Sequence, residues 1–254
     1  MQRIPTGIDN LDLLLEGGIP VSSVIIIGGP KGIGKSAFIH QIVFENATSK
    51  KRAFYINTAS KPTISVIEEQ RGFDFFDPQK IGYSFFYVDV KIGSEKESQA
   101  AVSEKIVKLA TAIAPAYVVI DNFKDFRLTP TSYYKPWKFI GQLIKKLIAL
   151  KSTVFLVGEW EWEEIEKEKG INLADGFFYL MDLGSKSRPR MGLYIMKMKK
   201  TVFRPGWYPC GLNEEGLSLS LARIEEEEIA GLIQPHKKVK ELSWWERFFQ
   251  FTDH

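Results

Sequence analysis

The stretch Gly29-Pro30-Lys31-Gly32-Ile33-Gly34-Lys35-Ser36 constrains the fold more than any other part of the chain. It has the spacing G-x-x-x-x-G-K-[ST]. Glycines at those positions let the backbone curl until consecutive N–H groups point inward at anionic oxygens. A helix has to start where the curl ends, so that its positive dipole end faces the same anion. A strand has to lead in. Both neighbours are present: Val24-Ile25-Ile26-Ile27 is a β-branched run, and Ser36 to Asn46 reads as an amphipathic helix. In such a loop Lys35 reaches the β- and γ-phosphates of a nucleoside triphosphate, and the Ser36 hydroxyl ligates Mg²⁺.

The same alternation continues along the chain. Apolar runs at Ala53–Ile56, Ser84–Val88, Tyr117–Ile120 and Thr153–Val157 are separated by helical patterns at Pro62–Gln70, Glu95–Ile113 and Trp137–Leu150. Runs that are apolar throughout belong to strands covered on both faces. Their alternation with helices predicts an α/β fold with a mostly parallel central sheet flanked by helices. After Gly176 the pattern changes. Phe177–Leu180, Leu193–Met198 and Leu217–Leu221 read as strands joined by turn residues alone, which predicts antiparallel strands extending one sheet edge toward the C-terminus.

Asp121 closes the apolar run Tyr117-Val118-Val119-Ile120. The C-terminal edge of a parallel sheet is where ligands sit, so Asp121 is expected beside the loop as a second Mg²⁺ ligand. Composition adds bounds rather than chemistry. Lys plus Arg exceed Asp plus Glu by 34 to 31, a net charge of +3, too small a bias for a dedicated nucleic-acid binder. Cys210 is the single cysteine, which excludes an internal disulfide and fits a reducing compartment. Met1 to Gly7 lacks a signal-peptide pattern, and no apolar run approaches a membrane span of about 18 residues. The expectation is a soluble, cytoplasmic protein.

The N-terminal stretch is more specific. Ile4-Pro5-Thr6-Gly7-Ile8-Asp9-Asn10-Leu11-Asp12-Leu13-Leu14-Leu15-Glu16-Gly17-Gly18-Ile19-Pro20 resembles the opening of KaiC-like and RadA-like members of the RecA-type ATPases. Leu173-Ala174-Asp175-Gly176 and Lys197-Met198-Lys199 are similar to two further family segments, so the resemblance runs from Ile4 to Ser220. It implies a RecA-like P-loop NTPase fold over residues 1–222; the composition of 223–254, charged and then aromatic-rich, reads as a C-terminal appendage with a helix. The resemblance also implies ATP and Mg²⁺ as ligands and a homo-oligomeric ring, often a hexamer. Nucleotide contacts would come from Gly29, Pro30, Lys31, Gly32, Ile33, Gly34, Lys35, Ser36 and Ala37. Lys197 and Lys199 would act across a subunit interface on the neighbour's nucleotide. Lys199 stands where the family has arginine, and so offers a point charge in place of a bidentate fork.

One departure matters more. The family carries a water-activating glutamate, often one of a pair, just after the second core strand; Ala59 and Ser60 occupy those positions here. No Asp or Glu lies between Glu45 and Glu68. Binding groups without the base imply an ATP-dependent switch or scaffold, acting with a partner protein, that hydrolyses ATP slowly or not at all. Glu159 is the candidate substitute for aligning water, which leaves a working ATPase as the alternative. A DNA recombination factor of the RadA type is the third reading. Its first candidate loop, 122–137, offers Lys124, Arg127, Tyr133, Tyr134, Lys135 and Trp137 for charge and stacking. The second, Glu159 to Lys169, has six glutamates against two lysines, which opposes phosphate. In the tail, Leu242, Trp245 and Phe249 share one helical face, and Trp244, Phe248 and Phe251 another. That pattern suits packing on the domain or a neighbour, or contact with a membrane surface.

Overall fold

A computed structural model describes residues 1–58, 61–90, 99–124, 136–167, 169–184 and 191–224. Its strands, in chain order, begin with β1 (Arg3–Ile4), β2 (Ile19–Pro20), β3 (Val24–Gly28), β4 (Ala53–Asn57), β5 (Phe85–Asp89) and β6 (Tyr117–Asp121). They continue with β7 (Thr153–Val157), β8 (Gly176–Asp182), β9 (Met191–Met198), β10 (Gly206–Asn213) and β11 (Gly216–Leu219). The α-helices are α1 (Asp9–Leu14), α2 (Lys35–Asn46), α3 (Thr63–Gln70), α4 (Gln99–Ile113) and α5 (Pro136–Ala149).

A nine-stranded sheet runs in the order β11-β10-β9-β8-β3-β7-β6-β4-β5. From β8 to β5 every pairing is parallel, and from β8 out to β11 every pairing is antiparallel. The α/β architecture, the parallel core and the antiparallel extension all stand as expected. Alternation along β3 divides the core. Ile25 and Ile27 join a layer with α1 and α2, while Val24 and Ile26 join one with α4 and α5.

Two sequence expectations are corrected. The segment between β9 and β11 is not turn alone, because Gly206–Asn213 forms β10. Pro209 is tolerated there because its carbonyl accepts from Ser220 N at 2.8 Å. Second, α2 is not amphipathic: nine residues from Lys35 to Phe44 are buried, Ser36 alone excepted. The cover comes from distant chain. Gln41 accepts from Leu217 N at 2.8 Å and donates to Gly7 O at 3.3 Å, while Asn46 donates to Pro5 O at 2.7 Å. The described part of α4 runs from Gln99 to Ile113, and the expected start at Glu95 lies outside the described residues. Ile224 is buried and bridges Trp207, so the packed unit reaches at least that far. The rest of the appendage, 225–254, including its aromatic residues, lies outside the described residues. No helix among the described residues is long and apolar enough to cross a membrane.

Candidate nucleotide-binding site

β3 enters the loop and α2 leaves it, with Gly34 as the residue before the helix at φ 99°. Gly29 (φ 149°) and Gly32 (φ 80°) also adopt positive φ. A Cβ at Gly29 would lie 2.4 Å from Leu180 O, so the close approach of β8 admits glycine alone. At Gly34 a Cβ would come within 3.1 Å of Leu212 Cδ2, which places β10 against the loop. Lys31 and Gly32 form the exposed crest, whereas Lys35 and Ala37 are buried beneath it.

The Lys35 ammonium folds over the loop and donates to Gly29 O at 3.0 Å and Pro30 O at 2.6 Å. Burial pushes its pKa below the ordinary lysine value, against the opposing fields of Glu159, Asp121 and Glu161. Gly29 O also accepts from Trp160 N at 3.2 Å, tying the segment after β7 to the loop.

β6 lies two strands from β3, and Asp121 emerges at its C-terminal end. The Ser36 hydroxyl donates to Asp121 Oδ2 at 3.0 Å. Thr58 braces the strand end from β4, its N–H donating to Asp121 O and its hydroxyl to Asn122 O, each at 2.6 Å. The Tyr55 phenol donates to the same Asp121 Oδ2 at 2.5 Å. Burial raises the Asp121 pKa above the ordinary carboxylate value, with the Tyr55 and Ser36 hydrogen bonds pulling the other way. A hydroxyl beside a carboxylate is a hard oxygen set that fits Mg²⁺, which is held by one or two carboxylates plus substrate phosphates. Among the described residues no group of three or more His, Cys, Asp or Glu gathers into an all-protein cage.

Under Ser36, His40 Nδ1 lies 2.6 Å from Ser36 O, a contact that requires the proton on Nδ1. The ring is fully buried against Tyr55, Phe85 and Tyr87, and Nε2 has no hydrogen-bond partner. Burial depresses its pKa from 6.5 to about 4. The unfolded chain therefore takes up a proton below pH 6.5 that the folded chain refuses. Stability is full above that pH and declines as pH falls toward 4, by about 3 kcal/mol in all. Urea melts at pH 7 and pH 4.5 should show this decline, and His40→Phe should flatten it.

Other sequence candidates are distributed as follows. Glu159, half-exposed after β7, acts electrostatically on both Lys35 and Asp121, so it belongs to the loop's surroundings. Ala59 and Ser60 lie outside the described residues. Lys197 and Lys199 are kept away from this chain's own loop. Lys197 pairs with Phe177 and donates to Ala174 O at 2.7 Å; Lys199 lies 3.2 Å from Asp175. Asp175 N in turn donates to Val24 O at the start of β3, about 16 Å below Gly29 by strand rise. Lys124, read as a DNA contact, turns inward. Its ammonium donates to Glu159 O, lies 3.7 Å from Glu164 and sits 5.3 Å from the Trp160 ring centroid. Arg127, Tyr133, Tyr134 and Lys135 lie outside the described residues. In the second loop Trp160 is buried and Trp162 packs on Tyr179, Tyr194 and Trp207, leaving Glu161, Glu163 and Glu164 exposed. Sequence reading missed Tyr55, His40, Thr58 and the Trp160 amide. Polar atoms inside otherwise apolar elements are the signal they left.

This loop and sheet define a RecA-type P-loop fold. The chain belongs to the KaiC family: the model described as "ATPase: KaiC" matches residues 4–222. Membership implies nucleotide binding and ATPase-type function. A UPF0273 protein of Thermotoga maritima is 24% identical over 241 residues, covering 85% of this chain and 95% of its own. The circadian clock oscillator protein KaiC of Prochlorococcus marinus is 22% identical over 229 residues, 85% of this chain and 45% of its own. The DNA repair protein RadA of Mycobacterium tuberculosis is 27% identical over 118 residues. The chain spans only 22% of that RadA. In fold it is similar to a KaiC-like protein from Pyrococcus horikoshii OT3, with a TM-score of 0.71 at 21% identity over 86% of this chain and 99% of the other.

Proposed function

We propose that the chain binds MgATP at the Gly29–Ala37 loop and serves as an ATP-dependent switch or scaffold with slow or absent hydrolysis. The observation that carries this is the contrast between an intact binding set (Lys35, Ser36 and Asp121) and Ala59 and Ser60 at the family's acidic positions. Ser36 and Asp121 would hold the Mg²⁺, which when bound neutralises charge on the β- and γ-phosphates. Curled amides and Lys35 orient the polyphosphate. The carboxylate that β5 brings beside Asn57 does not replace the missing acids. Asp89 accepts from Asn57 Nδ2 at 2.7 Å, Thr63 N at 3.2 Å and Thr63 Oγ1 at 2.7 Å, and so is committed to starting α3.

A homo-oligomeric ring, a hexamer by family likeness, goes with this reading. Its support is that Lys197 and Lys199, held by Ala174 O and Asp175, stand at the sheet edge opposite their own loop, so any nucleotide they meet would be a neighbour's. ATP would bias assembly only through its differential affinity for the two states. A working ATPase is the second reading, favoured by the field of Glu159 on Lys35. Size analysis of the purified protein with and without MgATP, with ADP assayed in the same samples, separates the two. Assembly without product is the expected result. Turnover near one per second that Lys35→Ala removes would establish the ATPase instead, and no MgATP-dependent change in size or binding would overturn both.

A further inference from the structure

Tyr55 sits in the middle of β4, on the face that packs against α2. Its ring is fully buried and held on several sides. His40 lies 4.6 Å from it, Tyr87 5.3 Å and Phe85 6.3 Å, as ring-centroid separations. A ring enclosed in this way has one orientation, and it points the phenol up β4 toward the sheet's C-terminal edge. There the hydroxyl meets Asp121 Oδ2 at 2.5 Å, the oxygen that also accepts from Ser36 at 3.0 Å. An ionised carboxylate only accepts, so both hydroxyls donate.

Two consequences follow from sharing one oxygen. The Tyr55 bond fixes the rotation of the carboxylate about its Cβ–Cγ axis, leaving Oδ1 without either hydroxyl. The Ser36 proton is also drawn toward Asp121, so the Ser36 lone pairs face away from it, as a cation ligand requires. Without the phenol, Oδ2 keeps only the mobile hydroxyl of Ser36, and the carboxylate gains a rotational freedom that cation binding has to remove.

We propose that Tyr55 is a positioning residue for the divalent cation that accompanies the nucleotide, acting through Asp121 rather than touching nucleotide or metal. This rests on the Mg²⁺ role proposed above for Ser36 and Asp121. Partners that orient a metal-binding carboxylate typically contribute on the order of tenfold or more in metal affinity.

The test separates cation from nucleotide. A fluorescent ATP analogue is titrated into wild type, Tyr55→Phe and Asp121→Asn, first in EDTA and then across a Mg²⁺ series. For Tyr55→Phe the EDTA affinity stays within about twofold of wild type, while the Mg²⁺ concentration for half-maximal enhancement rises about tenfold. A packing role alone would move both values together. Placing 4-aminophenylalanine at position 55 restores an N–H donor and returns the Mg²⁺ midpoint toward wild type. Should Tyr55→Phe prove unstable, 4-fluorophenylalanine fills the hydroxyl volume without a proton to donate and gives the same loss. A wild-type Mg²⁺ midpoint in the folded Tyr55→Phe or 4-fluorophenylalanine protein overturns the proposal. If Asp121→Asn itself keeps the wild-type midpoint, the Mg²⁺ reading of the site has failed, and the proposal falls with it.

Discussion

Replacing Ala59 and Ser60 together by glutamate is expected to raise ATP turnover by a factor on the order of 10²–10⁴, the usual contribution of a general base. The reasoning is subtractive. The Gly29–Ser36 loop, the Lys35 ammonium and the oxygen pair of Ser36 and Asp121 are assembled, while the sequence has no Asp or Glu between Glu45 and Glu68. Ser60 does not substitute, because a hydroxyl lacks basicity at neutral pH. The measurement is ADP release under single-turnover and steady-state conditions, for wild type and the double variant, with nucleotide saturating. Equal rates would show that the chain already has its water-positioning group. Glu159 would then be the residue to remove next.

Lys35→Ala is expected to weaken MgATP binding at least 100-fold while leaving the fold intact. Hydrogen bonds to a charged group contribute about 1.5–3 kcal/mol each, and Lys35 is placed to make two to the polyphosphate. Together these exceed the roughly 2.8 kcal/mol that 100-fold requires. The fold should survive because Gly29 O keeps its bond from Trp160 N, and Pro30 lies at the half-exposed crest. Removing a buried ammonium also relieves desolvation that its own pKa depression reflects. Calorimetric titration with the non-hydrolysed analogue reads affinity apart from turnover, and a urea melt reads stability. Near-wild-type affinity in a folded Lys35→Ala would mean that the loop is not a phosphate site.

The parallel core was legible because β3, β4, β6 and β7 are apolar on both faces, and such runs have few other uses. β10 was not, since Gly206, Pro209 and Gly211 are turn residues in isolation. Only the pairing of Pro209 with Gly192 of β9, and of Gly211 with Ser218 of β11, makes these residues a strand. The all-round burial of α2 was hidden for a different reason. Its cover arrives from Leu217, 176 residues away from Gln41, and no local periodicity carries that information. Among the candidate-site residues, Lys35 and Ser36 could be read from motif spacing and Asp121 from its place at the end of an apolar strand. Tyr55 and His40 could not, because an aromatic in an apolar strand and a histidine in an apolar helix read as ordinary core until their polar atoms are seen to meet Asp121 and Ser36.

A helix buried without a break from Ala37 to Phe44 is a stiff mount. When a polyanion settles on its N-terminus, α2 cannot recoil, because Phe38, Ile39, Ile42 and Phe44 would each have to find new neighbours in a close-packed interior. Compliance is left to the parts with an open side, the Lys31–Gly32 crest and the acidic surface around Glu161, Glu163 and Glu164. The Trp160 amide joins that surface to Gly29, so the acidic segment and the loop share one hydrogen bond.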